Sequence, residues 1–178
     1  IFQEPMTALN PVFSVGFQMR EAIRHHQPDL TRSQAQENAA ALLEKVGIPD
    51  PAQRLKSYPH QFSGGQRQRI MIAMMLIPEP DLIIADEPTS ALDVTVRMQG
   101  LDILDDLVSE RGLGLVFISH DLKVVRAMAH EIMVMRRGRV VEQGPADDIF
   151  NDPKDPYTRA LMAAAFEMKA DDTGAVCV

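Results

Sequence analysis

The sequence is poor in cysteine and contains no long apolar run. Its single cysteine, Cys177, allows neither an intrachain disulfide nor a cysteine cluster for a metal, which is typical of a reducing, cytoplasmic compartment. No stretch approaches the roughly 18 to 20 uninterrupted apolar residues of a membrane-spanning helix. The ten glycines include no Gly-x-x-x-x-Gly-Lys-Ser/Thr loop to cradle phosphates. Basic residues number 18 against 25 acidic ones, a net charge of −7, which disfavours a surface built mainly for nucleic acid or anionic lipid.

What is present fits a folded domain of helices and strands. With 178 residues, of which 46% are hydrophobic, the chain is long enough to bury a core. Thr31 and Gln34 form a capping-box pattern that predicts a helix ending near Gly47. Ser63 is suited to cap a second, largely buried helix that ends before Pro78.

Two short apolar runs, 82–85 and 115–118, lack alternation and predict strands buried on both faces of a parallel sheet. Helical periodicity over 94–110 lies between them, so the order predicts a right-handed parallel crossover. Gly100 interrupts this helix at a cost of about 1 kcal/mol relative to alanine, without an evident reason. Ligand chemistry in such sheets gathers at the carboxyl ends of the strands. Three ionisable residues follow the two runs there: Asp86, Glu87 and His120.

The C-terminal part is predicted to begin with a hairpin. Its strands are 132–135 and 139–142, with Gly138 in the turn, and two short helices follow around 145–150 and 156–168. Five clustered methionines are predicted to fill the core, where their flexibility suits irregular gaps: Met71, Met74, Met75, Met133 and Met135.

One constellation of motifs points to a function. An apolar strand ends in Asp86-Glu87-Pro88, the loop Ser90-Ala91-Leu92-Asp93 follows, and His120 ends the next strand. Together with Phe62-Ser63-Gly64-Gly65-Gln66 and with Gln3 in Phe2-Gln3-Glu4-Pro5, this order strongly resembles the ATPase subunit of an ATP-binding cassette (ABC) transporter. The resemblance covers nearly the whole chain. It implies an α/β fold, namely a P-loop NTPase-like (RecA-like) parallel sheet with an inserted α-helical subdomain, lacking the N-terminal Walker A part.

The residues at the strand ends suit ATP hydrolysis. Mg²⁺ prefers hard oxygen ligands, so Asp86 can hold it directly or through water. Glu87 can orient or deprotonate the attacking water, and His120 can hydrogen-bond the γ-phosphate. The resemblance implies these same roles, with ATP and Mg²⁺ as cofactors. A capped strand end without catalytic function is the alternative.

The segment that starts at Ser63 has two interpretations. Ser63 and Gln66 form a capping box on their own account. The glycines Gly64 and Gly65 also let backbone N–H groups approach a phosphate at a helix N-terminus. The resemblance implies that this end faces the nucleotide of a second ATPase subunit, in a head-to-tail homo- or heterodimer. Phe62 stands where the family pattern usually has Leu, and we expect little loss of function because the position is apolar.

Gln3 alone could belong to an ordinary turn. The resemblance implies that it reaches Mg²⁺ and the attacking water, and that Asp93 is among the residues at the nucleotide. Residues 6 to about 19 would border the groove for a helix of the membrane subunit. The implied partners are transmembrane permease subunits and, indirectly, an external solute-binding protein, without nucleic acid. The implied location is the cytoplasmic face of the cell membrane, as a peripheral subunit.

Two segments resemble importers of di- and oligopeptides and their nickel-importing relatives. These are Glu4-Pro5-Met6-Thr7-Ala8-Leu9-Asn10-Pro11 and Asp155-Pro156-Tyr157-Thr158-Arg159-Ala160-Leu161, the second with Asp155 where His is common. The predicted organisation is a Gln-loop segment over 1–10, a helical subdomain with the signature motif over 11–77, a RecA-like core over 78–144 and a C-terminal helical extension over 145–178.

Three functional hypotheses follow. The chain opens at Ile1 without an initiator methionine, and we expect the C-terminal part of a longer importer ATPase that is active as a full-length dimer and inactive as this fragment. The alternative is a non-catalytic or truncated cassette that completes the ATP site of a partner through Ser63. A soluble ABC protein of DNA repair or translation is disfavoured by the acidic balance and the importer-like segments.

Overall fold

The structure, a computed structural model, describes residues 9–88 and 94–166, of which residues 94–97 are described by their backbone only. The described residues fall into two compact units that divide between Ile118 and Ser119. The predicted subdomain boundaries, at 10, 77 and 144, stay predictions. The helices and strands are α1 Val15–His26, α2 Arg32–Lys45, α3 Pro51–Arg54, a 3₁₀ turn Pro59–Gln61, α4 Gly64–Met75, β1 Leu82–Asp86, α5 Val94–Arg111, β2 Gly114–Ile118, α6 Leu122–Met128, β3 Glu131–Arg136, β4 Arg139–Pro145, α7 Ala146–Asn151 and α8 Pro156–Phe166.

Two helices of the first unit confirm the predictions made from their caps. At the start of α2, the Thr31 hydroxyl accepts from the Gln34 N–H at 3.3 Å, and the Gln34 side chain accepts from the Thr31 N–H at 2.9 Å. Gly47 follows with a φ of 70°, a conformation that glycine adopts without strain. The predicted helix after Ser63 is α4.

Helix α1 was not predicted. Ser14 caps it by accepting from the Phe17 N–H at 3.3 Å, and its fully buried residues recur every four positions, as Val15, Met19 and Ile23. These residues join one core cluster with buried side chains of α2, α4, α5 and β1. The first unit therefore has a single core.

The parallel pairing of β1 with β2, joined through α5, confirms the predicted crossover order, with a register from Leu82 opposite Gly114 to Asp86 opposite Ile118. The prediction that both faces are buried is wrong. Ile83 and Ala85 pack into the core with α5, but the alternate residues of the sheet are about half exposed: Leu82, Ile84, Val116 and Ile118. Among the described residues, helices cover only one face, and successive strand side chains point to opposite faces.

The second unit contains the predicted hairpin and the two following helices. Strands β3 and β4 pair antiparallel, and both turn residues have positive φ, 49° at Arg137 and 75° at Gly138. A small core joins the hairpin to α7 and α8. Met133 and Met135 lie on the outer face of β3, at 53% and 56% exposure, so their predicted core role is wrong. Within the described ranges, no helix is both long and apolar enough to cross a membrane.

Candidate functional site

The first part of the candidate site is the acidic end of β1. Asp86 is the last residue of the strand and Glu87 follows it, and both are half-buried. Asp86 lies on the exposed face of the sheet, two residues beyond Ile84. The Glu87 N–H donates to the Ile118 carbonyl at 2.9 Å, so the pairing with β2 extends one residue past the strand. The sheet therefore fixes the backbone that carries both carboxylates.

Glu87 has an unusual backbone conformation. Its φ is 44°, in the left-handed region, and Pro88 follows it, although a residue before proline favours extended angles. A non-glycine residue held there costs about 1 to 3 kcal/mol and persists only where neighbouring contacts impose it. Such strain concentrates at functional sites, which fits the role predicted for Glu87.

The second part is the start of α4. The Ser63 hydroxyl accepts from the Gln66 N–H at 3.2 Å, and the Gln66 side chain accepts from the Ser63 N–H at 3.1 Å. The Ser63 and Gln66 side chains thus both take part in capping the N-terminus of α4. The N–H groups of Gly64 and Gly65 have no acceptor among the described residues, and a helix start with open N–H groups attracts an anion.

Phe62 anchors this helix start. Its ring is buried at 3% exposure, and the Arg54 guanidinium lies 5.4 Å from the ring centroid. The Phe62 carbonyl accepts from the Arg67 Nε at 3.0 Å. The residue before Ser63 is therefore a core contact, as its apolar character predicts.

His120 belongs to the second unit, whereas Asp86 and Glu87 belong to the first. It stands two residues after β2, in a turn where the Asp121 N–H donates to the Ser119 hydroxyl at 3.0 Å. Asp121 then caps α6 by accepting from the Lys123 N–H at 3.1 Å. Local hydrogen bonds thus order the residues on both sides of His120.

Two predicted segments of the site lie outside the described residues, one that contains Gln3 and one that runs from Ser90 to Asp93. Within the described ranges, no three His, Cys, Asp or Glu side chains form a group that could hold a metal ion. A single carboxylate such as Asp86 nevertheless suits Mg²⁺, which takes one or two carboxylates and fills its other positions with phosphate and water.

Sequence reasoning missed Gln68. It is one of two buried polar side chains among the described residues, the other being Thr158, and its Nε2 donates to the Pro88 carbonyl at 2.9 Å. The available signal was its place on α4, since Gly65, Gln68 and Ile72 follow helical spacing along a buried face. A polar residue on an apolar face indicates a specific partner.

In the second unit, Asp155 caps α8 by accepting from the Tyr157 N–H at 2.7 Å. Glu142 of β4 accepts from the N–H groups of Lys154 and Asp155 at 2.6 and 3.1 Å. The Lys154 N–H is the main cause that lowers the pKa of Glu142. Asp155, which stands where His is common, therefore gives α8 a capped start.

The comparison with known families tests the resemblance that the motifs suggest. Residues 2–90, half of the chain, match the family described as ABC transporter. The chain belongs to the ABC transporter family. Residues 141–176 also match the family described as "Oligopeptide/dipeptide transporter, C-terminal region". The family resemblance of the motifs is thus confirmed.

Curated relatives in this family include transport ATP-binding proteins. The chain is 52% identical over 171 residues to the dipeptide transport ATP-binding protein DppD of Escherichia coli K12, covering 96% of this chain and 52% of that protein. It is 51% identical over 162 residues to a putative peptide import ATP-binding protein of Brucella melitensis, covering 91% and 48%. It is 50% identical to the glutathione import ATP-binding protein GsiA of E. coli O1:K1, covering 96% and 27%. The chain thus spans about half or less of each of these relatives.

A solved ABC structure confirms the fold class. The ATP-binding cassette MJ0796, described as a dimer in a post-hydrolysis state bound to ADP and Pi, superposes with a TM-score of 0.69 at 26% identity. The match covers 82% of this chain and 61% of that one. The parallel β1 and β2 with their connecting helix therefore belong to a P-loop NTPase-like fold.

Proposed function

We propose that this chain is part of the ATP-hydrolysing subunit of an ABC importer for di- or oligopeptides, or for a related solute such as nickel, at the cytoplasmic membrane. The observation that carries the proposal is the acidic end of β1, where Asp86 and the strained Glu87 are fixed against β2. The printed functions of the relatives, in dipeptide, peptide and glutathione transport, support this solute class.

Each residue at the strand ends has a proposed task. When bound, ATP would supply the phosphoryl group, and Mg²⁺ would offset the negative charge of the phosphates. Asp86 holds the ion, directly or through water, and Gln3 reaches the ion and the attacking water. Glu87 accepts a proton from that water or orients it, and His120 donates a hydrogen bond to the γ-phosphate.

The signature segment serves a second subunit. Ser63, Gly64, Gly65 and Gln66 face the nucleotide of a partner in a head-to-tail homo- or heterodimer, with Asp93 also at the nucleotide. The open N–H groups of Gly64 and Gly65 support a role at an anion. Permease subunits, and indirectly an external binding protein, complete the transporter. The net charge of −7 speaks against nucleic acid as a partner.

The proposal is tested in the whole protein, assembled with its partners. Glu87→Gln is expected to retain ATP binding and to lower turnover by about 100-fold or more, because the amide cannot accept the proton. Glu44→Gln, the same change on the exposed side of α2, is the matched control and should leave turnover unchanged. Normal turnover of Glu87→Gln would remove Glu87 from its proposed role.

A second candidate rests on the missing phosphate loop. Because these 178 residues contain no such motif, we expect them to be inactive alone, and a cassette of this kind could act only by completing a partner's site. Whole protein that binds no ATP, yet raises partner turnover in a Ser63-dependent manner, would establish this function. A soluble role in DNA repair or translation is less favoured, since residues 141–176 match the transporter C-terminal region.

A further inference from the structure

We propose that Gln68 is a positioning residue for Glu87. Its side-chain amide connects helix α4, which begins after Ser63, to the turn of Glu87 and Pro88 that follows β1. The inference rests on the proposed function, because it assigns Gln68 a part in the same hydrolytic site. It concerns a side chain outside the motif residues Ser63 to Gln66.

The contact that carries the inference is a buried hydrogen bond. Gln68 is 1% exposed, and its Nε2 donates to the Pro88 carbonyl at 2.9 Å. Pro88 is buried as well and has no N–H, so its carbonyl is its one backbone hydrogen-bonding group. Removal of the amide would leave that carbonyl without this partner, directly beside Glu87.

Glu87 is held from both sides. Its own N–H donates to the Ile118 carbonyl, and the carbonyl of the following residue, Pro88, accepts from Gln68. The positive φ of Glu87 needs such contacts, because the residue would otherwise relax toward extended angles. We infer that the Gln68 bond helps to keep the Glu87 backbone in its strained form.

Gly100 makes room for this amide. A Cβ at position 100 would lie 3.0 Å from both Nε2 and Oε1 of Gln68, closer than side chains ordinarily pack. A second hydrogen bond joins α4 to α5 beside this contact: the Arg69 guanidinium donates to the Gln99 side chain at 2.7 Å. Glycine at position 100 lowers the helix propensity of α5, and the Gln68 amide packed against it explains why a glycine stands there.

A purely structural role would favour a different residue. The Gln68 Oε1 is buried and has no hydrogen-bond partner among the described residues, so the amide is only half satisfied. A buried amide oxygen without a partner costs free energy of folding, which offsets part of the stabilisation that the Nε2 bond supplies. The presence of Gln68 is better explained by the geometry that its Nε2 imposes on the turn.

The first test replaces the amide by an apolar side chain of similar size. In the assembled whole protein, Gln68→Met is expected to lower kcat for ATP by about 10- to 100-fold, because small displacements of a catalytic group have large effects. We expect the KM for ATP to stay within about twofold and the Tm to fall by a few degrees, because the buried Pro88 carbonyl loses its donor. Gln36→Met, on the exposed side of α2, is the matched control and should change neither kcat nor Tm.

A second variant keeps the inference testable should Gln68→Met fail to fold. Gly100→Ala improves helix propensity but presses its Cβ on the Gln68 amide, so kcat should fall while Tm does not. The double variant should have the kcat of Gln68→Met alone, because the bond is already absent there.

The outcomes separate the two proposals. If the wild type hydrolyses ATP and both variants keep its kcat, the positioning role is overturned and the proposed function stands. A loss of Tm at unchanged kcat also overturns it, because that pattern belongs to a structural contact. If Glu87→Gln is as active as the wild type, the proposed function itself fails at this site.

Discussion

The capping box of Ser63 and Gln66 has a counterpart at Thr31 and Gln34. In both pairs the hydroxyl accepts from the N–H three residues later, at 3.2 and 3.3 Å. The glutamine side-chain oxygen in turn accepts from the N–H of the capping residue. The two boxes start α4 and α2 within the same unit. The same pair of capping bonds at a predicted nucleotide contact and at an ordinary helix start allows the capping and binding roles of Ser63 to be separated.

We predict that Ser63→Ala and Thr31→Ala lose similar stability but differ in activity. Each removes one cap, which costs about 1 kcal/mol. Only Ser63→Ala should lower ATP turnover in the assembled protein. Thermal unfolding and steady-state hydrolysis measure the two effects, and equal turnover in both variants would reduce Ser63 to a capping residue.

Ser63→Asp gives an independent measurement of the same role. Aspartate is as good an N-cap as serine, so the free energy of unfolding should change by less than about 1 kcal/mol. Its carboxylate would repel a partner-bound phosphate, and we expect turnover to be abolished. Retained turnover would place the nucleotide away from this helix start.

The strained backbone of Glu87 leads to a further prediction. Glu87→Gly should keep stability or raise it by up to about 1 kcal/mol, because glycine adopts positive φ without strain, while turnover is lost with the carboxylate. Glu79 is the matched control, since it has a φ of 49° and is exposed. Glu79→Gly should change stability in the same direction without affecting turnover.

Local signals accounted for much of the fold. The capping pairs and the glycine stops predicted α2 and α4, because these interactions join residues close in sequence. Helix α1 was missed although Ser14 and the four-residue spacing of Val15, Met19 and Ile23 were visible. Helix α6 was not predicted either, because its seven residues are too few to establish a helical period of apolar residues.

The tertiary features could not be predicted in this way. Apolar runs predicted β1 and β2, but the exposure of Ile84 depends on which elements cover the sheet. The carboxylates at the end of β1 were predicted, whereas the positive φ of Glu87 was not. The Gln68 bond joins residues 20 positions apart, and Gly100 had no explanation until α5 was placed beside it.

Phe62 offers a prediction about the family's usual leucine at this position. Phe62→Leu should lower stability by about 1 kcal/mol, since it removes part of a buried ring and its contact with the Arg54 guanidinium. Turnover should stay within about twofold, because the side chain packs in the core and the backbone carries the contacts of the helix start. A large loss of turnover with intact stability would contradict this assignment.

The last prediction concerns Glu142, whose pKa is held below its ordinary value of 4.5 chiefly by the Lys154 N–H. A carboxyl with a lowered pKa in the folded state stabilises the fold above its unfolded pKa and loses that contribution as pH falls through the folded value. We therefore expect hydrogen-exchange protection at Lys154 and Asp155 to decline on acidification below about pH 4.5. Glu142→Gln should lower this protection at neutral pH and flatten its pH dependence. Glu131→Gln, on the exposed part of β3, is the control and should follow the wild type. Equal protection in all three proteins would show that Glu142 does not stabilise the start of α8.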